Sequence, residues 1–207
     1  MIKKITLFIA LFLLVCQSSL GLDSNEVTYH IKHIDGSRVH IIKTTASKLD
    51  VSFTTKGHKT LINCSYFNMN TRKSVPVGLY NRPFVVLKKD GSIKISDNKT
   101  DIVDERAVAS GGSWLLREGK IYSTSDHFGS SFRNTVVKRT CIGVDKDNNV
   151  ILVVISCANL PKSARIMKKL GCEIAINLDG GTSSTLKFQG RTMVTSKRPV
   201  VNYLVVN

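Results

Sequence analysis

Asp179 is followed at once by Gly180 and Gly181, and then by four hydroxyl side chains, Thr182, Ser183, Ser184 and Thr185. Ahead of it, Ile174 to Leu178 is a short apolar run, interrupted by Asn177, that reads as the end of a buried strand. Adjacent glycines let the backbone take positive φ and come close to a ligand. The N–H groups of such a turn can converge on an anion as a nest, and hydroxyls add donors. Asp179 is therefore a candidate acid, base or metal ligand. A carboxylate beside an anion cradle suits cleavage of a phosphorylated substrate. The plain alternative is a tight Asp-Gly turn between two strands, with no chemistry. Asn177 weighs against that alternative, because a polar group in an apolar run is normally bonded or used.

Two further residues have the same character. Asn63 ends the apolar stretch Leu61-Ile62 and precedes Cys64-Ser65-Tyr66-Phe67. An Asn at a strand end can bond a sugar hydroxyl or lock a neighbouring loop, and an Asx turn is the ligand-free alternative. Arg139 opens the run Arg139-Thr140-Cys141-Ile142-Gly143-Val144. At a strand mouth its guanidinium can grip phosphate in bidentate fashion, the alternative being an ordinary surface arginine. His30, His33 and His40 have no acidic or cysteine partner nearby and read as surface histidines. Trp114, the sole tryptophan, reads as core more readily than as a sugar platform. The polar stretch from Tyr122 to Lys138, with Asp126, His127, Phe128 and Arg133, is long enough for a functional or mobile loop.

The elements that must position these residues are mostly strands. A lead-in strand is expected within 22–34, a strand over Val39–Lys43, and a half-buried alternating strand over Leu49–Phe53. Hairpin tips are expected at Asp90-Gly91, Glu118-Gly119, Asp147-Asn148-Asn149 and Gln189-Gly190. Closing strands are expected around Phe188, Val194 and Val200–Val206. One helix stands out over 161–170. Leu160, Ala164, Met167 and Leu170 recur at helical spacing, Pro161 suits the first turn and Gly171 suits the C-terminal cap. It links two strands in a strand–helix–strand unit over 150–178. The expected fold is α+β: one β-rich domain over 22–207, with several hairpins and one main helix packed on the sheet.

The whole chain sets the outer limits. Its 207 residues allow one domain with a real core, and 42% hydrophobic residues exclude a basic tail. The formal charge of +15 comes from cations scattered along the chain, which favours anionic partners without naming one. No basic arm or basic–aromatic interleaving points to nucleic acid. Met1-Ile2-Lys3-Lys4, the apolar run Ile5–Val15 and small residues at Ser19 and Gly21 read as a signal peptide over 1–21. The mature protein is then secreted or periplasmic, with no transmembrane anchor. Lipidation at Cys16 is a minor alternative, since Val15 is bulkier than the residue expected before a lipidated cysteine. Cys64, Cys141, Cys157 and Cys172 remain, without the CxxC spacing of a zinc site. Buried thiols are expected, and an oxidising compartment would allow one disulfide.

Asn177-Leu178-Asp179-Gly180-Gly181-Thr182-Ser183-Ser184 resembles the NLDGGxSS motif of the phosphodiester glycosidase family. In order along the chain, Ile62-Asn63 with Tyr66-Phe67, Pro76-Val77-Gly78, Ser110-Gly111-Gly112, Arg139-Thr140 with Ile142-Gly143, and Arg198 with Val200 and Asn202 resemble further family segments. The similarity covers roughly 60–207. It implies hydrolysis of a sugar-1-phosphodiester, releasing the sugar and leaving a phosphomonoester. Carried over, Arg139 and the turn Gly180, Gly181, Thr182, Ser183 and Ser184 would hold phosphate. Asp179 would be nucleophile, base or metal ligand, and Asn63 and Asn177 would position the sugar or Asp179. Arg198 and Asn202 are further substrate-binding candidates. A divalent cation is left open, since no ligand set is visible. Cys64 and Ser65 stand where the family often has glycines, which implies a more crowded pocket. The implied partner is a phosphorylated or anionic glycan. A binding module that retains the pocket without turnover is the alternative.

Overall fold

The computed structural model describes residues 26–122 and 129–207. The signal peptide read over 1–21, Cys16, and the loop residues Asp126, His127 and Phe128 lie outside the described residues. β1 (Thr28–Ile34) and β2 (Ser37–Thr45) form an opening hairpin. There follow β3 (Leu49–Ser52), β4 (Thr60–Asn63), β5 (Phe84–Lys88), β6 (Ile93–Ser96) and β7 (Glu105–Ser110). Next come β8 (Trp114–Arg117), β9 (Lys120–Ile121), the short helix α1 (Ser130–Asn134), β10 (Val137–Asp145) and β11 (Asn149–Ala158). The chain closes with α2 (Leu160–Lys169), β12 (Cys172–Asn177), β13 (Leu186–Phe188), β14 (Arg191–Val194) and β15 (Tyr203–Val206).

These strands make three sheets, ordered β1-β2-β11-β10-β12-β8-β9, β14-β13-β4-β15-β3 and β6-β5-β7. The fold is the expected β-rich α+β domain. At the centre of the large sheet β10, β11 and β12 are apolar on both faces, which is why their sequences run nearly continuous instead of alternating. Ile142, Leu152, Val154 and Ile176 join the core shared with β4, β5, β13 and β15. Cys141, Val153, Ile155 and Ala175 on the other face pack under α2 through Leu160, Ala164, Ile166 and Met167. Each such buried aliphatic side chain contributes about 1.5–3 kcal/mol.

The strand–helix–strand unit is β11-α2-β12, with β10 inserted between its two strands and antiparallel to both. α2 begins one residue before the expected start because Asn159 caps it, its side-chain oxygen accepting from the Lys162 N–H at 2.9 Å. All four expected hairpin tips are present. At Glu118-Gly119 and Gln189-Gly190 both tip residues have positive φ, the conformation that matches strand twist in a two-residue turn.

Two expectations are corrected. The closing strand starts at Tyr203, not Val200, and Asn202 just ahead of it clamps the β4 exit, its carbonyl accepting from the Cys64 N–H at 3.1 Å and its side chain from the Ser65 N–H at 2.9 Å. His40 is buried, not a surface residue, since β2 lies between β1 and β11, and its ring bonds the Tyr29 hydroxyl at 2.7 Å. His30 and His33 are exposed as expected. The four cysteines are free thiols, with Cys64, Cys141 and Cys172 held in the core and Cys157 exposed. Burial pushes the Cys64, Cys141 and Cys172 thiols up to about 12, so they are inert core residues. Among the described residues no helix is long and apolar enough to cross a membrane.

Candidate active site

Three strand ends converge where β4, β10 and β12 meet, and each contributes one residue singled out in the sequence. Asn63 ends β4, Asn177 ends β12 and Arg139 lies near the start of β10. Beyond Asn177 the chain is held from both sides. The Leu178 N–H donates to the Thr140 carbonyl at 2.8 Å, and the Asp179 N–H donates to the Cys64 carbonyl at 2.9 Å. Asp179 therefore has a fixed backbone before its side chain is considered.

Both asparagines are fully buried, and both hold backbone. Asn63 Nδ2 donates to the Asp179 carbonyl at 2.6 Å, while its Oδ1 accepts from Thr140 Oγ1 at 3.0 Å and the Thr185 N–H at 2.9 Å. One side chain thus ties β4, β10 and both ends of the Asp179 turn. Asn177 Oδ1 accepts from the Ser113 N–H at 2.6 Å, and its Nδ2 donates to the Tyr66 hydroxyl at 2.6 Å. Of the two roles open to a strand-end asparagine, the geometry realises loop locking.

Asp179 is 4% exposed. Its Oδ1 accepts from the Gly180 N–H at 3.0 Å, and its carboxylate pairs with Arg198 Nη2 at 3.2 Å. Burial raises its pKa above the ordinary carboxylate value, against the opposing pull of the Ser183 hydroxyl, Arg198 and the Gly180 N–H. Arg198 is itself cradled. Nε donates to Ser183 Oγ at 2.5 Å, Nη1 lies 3.4 Å from Met69 Sδ, and the guanidinium sits 5.1 Å from the Phe67 ring centre.

The turn is tighter than a simple nest. A Cβ at Gly180 would come within 2.9 Å of the Lys138 carbonyl, so only glycine lets the turn lie against β10. Gly181 has φ +62°, in the left-handed region. The N–H groups of Ser183 and Ser184 return to the carbonyls of Gly180 and Gly181. Ser183 and Ser184 are buried, with Ser184 Oγ 3.2 Å from Thr140 Oγ1. Gly180, Gly181 and Thr182 face a pocket of about 680 Å³ that Asp179, Arg198 and Arg139 also line.

Arg139 is 1% exposed, and its guanidinium fixes chain segments. Nε donates to the Ala158 carbonyl at 3.2 Å, and Nη2 donates to the carbonyls of Phe132 and Thr135 at 2.9 and 2.7 Å. These bonds tie α1 to β11 and make α1 a pocket wall. No carboxylate pairs with Arg139 among the described residues, and burial lowers its pKa. Asn202 stands behind the pocket. Its Oδ1 accepts from the Ser65 N–H at 2.9 Å and its Nδ2 donates to Ser65 Oγ at 3.1 Å. Cys64 and Ser65 do not crowd the pocket, since both are buried away from it, in the core and against Asn202. Among the described residues no group of three His, Cys, Asp or Glu side chains could hold a metal ion.

Sequence reasoning gave no role to Tyr66 or Phe132, which line the same pocket. Tyr66 was visible only as part of a motif, and Phe132 lies in a stretch without periodicity.

Three strand ends bring a buried acid and a buried cation to one open pocket on a β-rich scaffold. The sequence profile of the phosphodiester glycosidase family matches residues 53–207, and the chain belongs to that family. Two solved structures share its fold. One is a hypothetical protein from Synechocystis, 14% identical with a TM-score of 0.71, covering 87% of this chain and 61% of its own. The other is the zebrafish N-acetylglucosamine-1-phosphodiester alpha-N-acetylglucosaminidase catalytic domain, auto-inhibited by its pro-peptide. It is 18% identical with a TM-score of 0.68, covering 88% of this chain and 82% of its own. The chain thus spans under two thirds of the Synechocystis protein's length. No curated protein matches the sequence.

Proposed function

We propose that this protein hydrolyses a sugar-1-phosphodiester at the anomeric carbon, releasing the sugar and leaving a phosphomonoester. The observation that carries this reading is Arg139. A buried guanidinium with no carboxylate partner among the described residues is costly, and this one lines the pocket that holds Asp179. The anion that completes it is the phosphate of the substrate. Arg198 and the Gly181-Thr182 edge of the turn hold the other side of that phosphate, within the same pocket.

In the reaction a water oxygen bonds to the anomeric carbon as the bond from that carbon to the phosphate oxygen breaks. The electron pair leaves on the phosphate, and the water proton passes to the Asp179 carboxylate. A phosphomonoester is a good leaving group, so cations that stabilise its charge matter more than a strong acid. Asp179, the one acidic side chain lining the pocket among the described residues, is assigned as base. Asn63, Asn177, Ser183, Ser184 and Asn202 hold the geometry from behind. Export to the periplasm or medium, directed by residues 1–21, would place the activity on glycans or glycoconjugates outside the cytoplasm.

The test is release of free sugar from an N-acetylglucosamine-1-phosphodiester by the purified protein, with and without chelator, beside Asp179→Ala. The substitution is expected to lower turnover by about 10²–10⁴-fold with the fold retained. Unchanged turnover would refute the assignment of Asp179. Saturable, salt-sensitive binding without any turnover would favour a glycan-binding module in place of an enzyme.

A further inference from the structure

We infer that Tyr66 donates a hydrogen bond from its phenol to the leaving phosphate oxygen, as a further catalytic residue of the site. The inference rests on the phosphodiester glycosidase reading and extends it to a residue that neither the sequence nor the family match assigns. Tyr66 lines the pocket together with Asp179 and Arg139. Its oxygen accepts from Asn177 Nδ2 at 2.6 Å, and Asn177 Oδ1 is fixed by the Ser113 N–H. The amide can only donate there, so the phenol proton must point away from Asn177.

The seat is built. A Cβ on Gly112 would lie 2.7 Å from Tyr66 Cε2 and 2.8 Å from Asn177 Oδ1, so glycine at 112 is what admits the ring. The Phe132 ring meets it edge-on at 6.4 Å between centres, and Arg82 lies 6.0 Å from its centre. Burial and the Asp179 carboxylate push the phenol above its ordinary pKa, with Arg139 pulling the other way. It therefore remains a protonated donor through neutral pH. A phosphomonoester is too weak a base to take that proton, so Tyr66 stabilises the developing charge and keeps its hydrogen throughout.

Tyr66→Phe removes the hydroxyl alone. With a methyl aglycone on the phosphodiester, kcat/KM is expected to fall about 10²-fold. With a 4-nitrophenyl aglycone, which makes the leaving phosphate less basic, the loss should be markedly smaller. Equal losses on both substrates would overturn the inference and leave Tyr66 as a support for Asn177. Should Tyr66→Phe not fold, a trifluorotyrosine at position 66 decides the matter. It is expected to move the alkaline limb of the pH–rate profile downward, and an unmoved limb overturns the inference. If the wild-type protein turns over no diester, the functional reading itself fails and this one with it.

Discussion

Asp179 sits in a conflict between burial and pairing, and burial prevails. Its folded pKa is raised above its unfolded value. Folding is therefore favoured most by this group at acid pH, below the unfolded pKa, and that contribution is lost as pH rises through the folded pKa. At neutral pH the ionised carboxylate is therefore a burden on the fold, one that the proposed role of Asp179 as base would explain. Asp179→Asn should accordingly melt at or above the wild-type temperature at pH 7, with the difference shrinking towards pH 3. Thermal unfolding across that range measures it, and an advantage that grew on acidification would contradict the assignment. With Asp179 as the proposed base, which must be ionised to act, the acid limb of the pH–rate profile is expected above the ordinary carboxylate range.

At the scale of elements, the turn after β12 depends on its fit against β10. Gly180 has φ −134°, an ordinary extended value, so its requirement is space and not backbone strain. Gly180→Ala should push the turn off the Lys138 carbonyl, lower stability by about 1–3 kcal/mol and reduce turnover more than it reduces folding. Denaturant unfolding beside sugar release would show both, and a fully active, equally stable variant would oppose the close-approach argument. This requirement could be expected from Asp179-Gly180-Gly181 but not located, because nothing in the sequence says which strand lies across the turn. The hairpins and α2 were legible because tip residues and periodicity are local signals. The pairing of β12 with both β10 and β8 was not, since strands apolar on both faces carry no register information. Asp179 and the two asparagines were legible as interruptions of apolar runs. The part Arg139 plays in holding α1 was not, because it depends on carbonyls contributed by two separate segments, α1 and the end of β11.

Across the whole molecule the charge of +15 acts together with Asp179, the one acid lining the pocket among the described residues. Thirty lysines and arginines against fifteen acids give a positive field over the surface, and Arg139 and Arg198 continue it into the pocket. An anionic diester approaching this surface is drawn in over a range set by ionic strength, about 10 Å at 0.1 M salt and 3 Å at 1 M. The proposed chemical step, by contrast, takes place among groups that are buried and little screened. KM should therefore rise with salt while kcat stays nearly level. A substrate with further phosphates on its aglycone should show the steeper dependence, because each added charge feels the same field. Initial rates for a mono- and a bis-phosphorylated substrate between 0.05 and 1 M salt separate the two effects. A kcat that fell in step with kcat/KM would instead place the salt-sensitive interaction inside the pocket, at the Asp179–Arg198 pair, and would make that pair and not the surface the origin of the salt dependence.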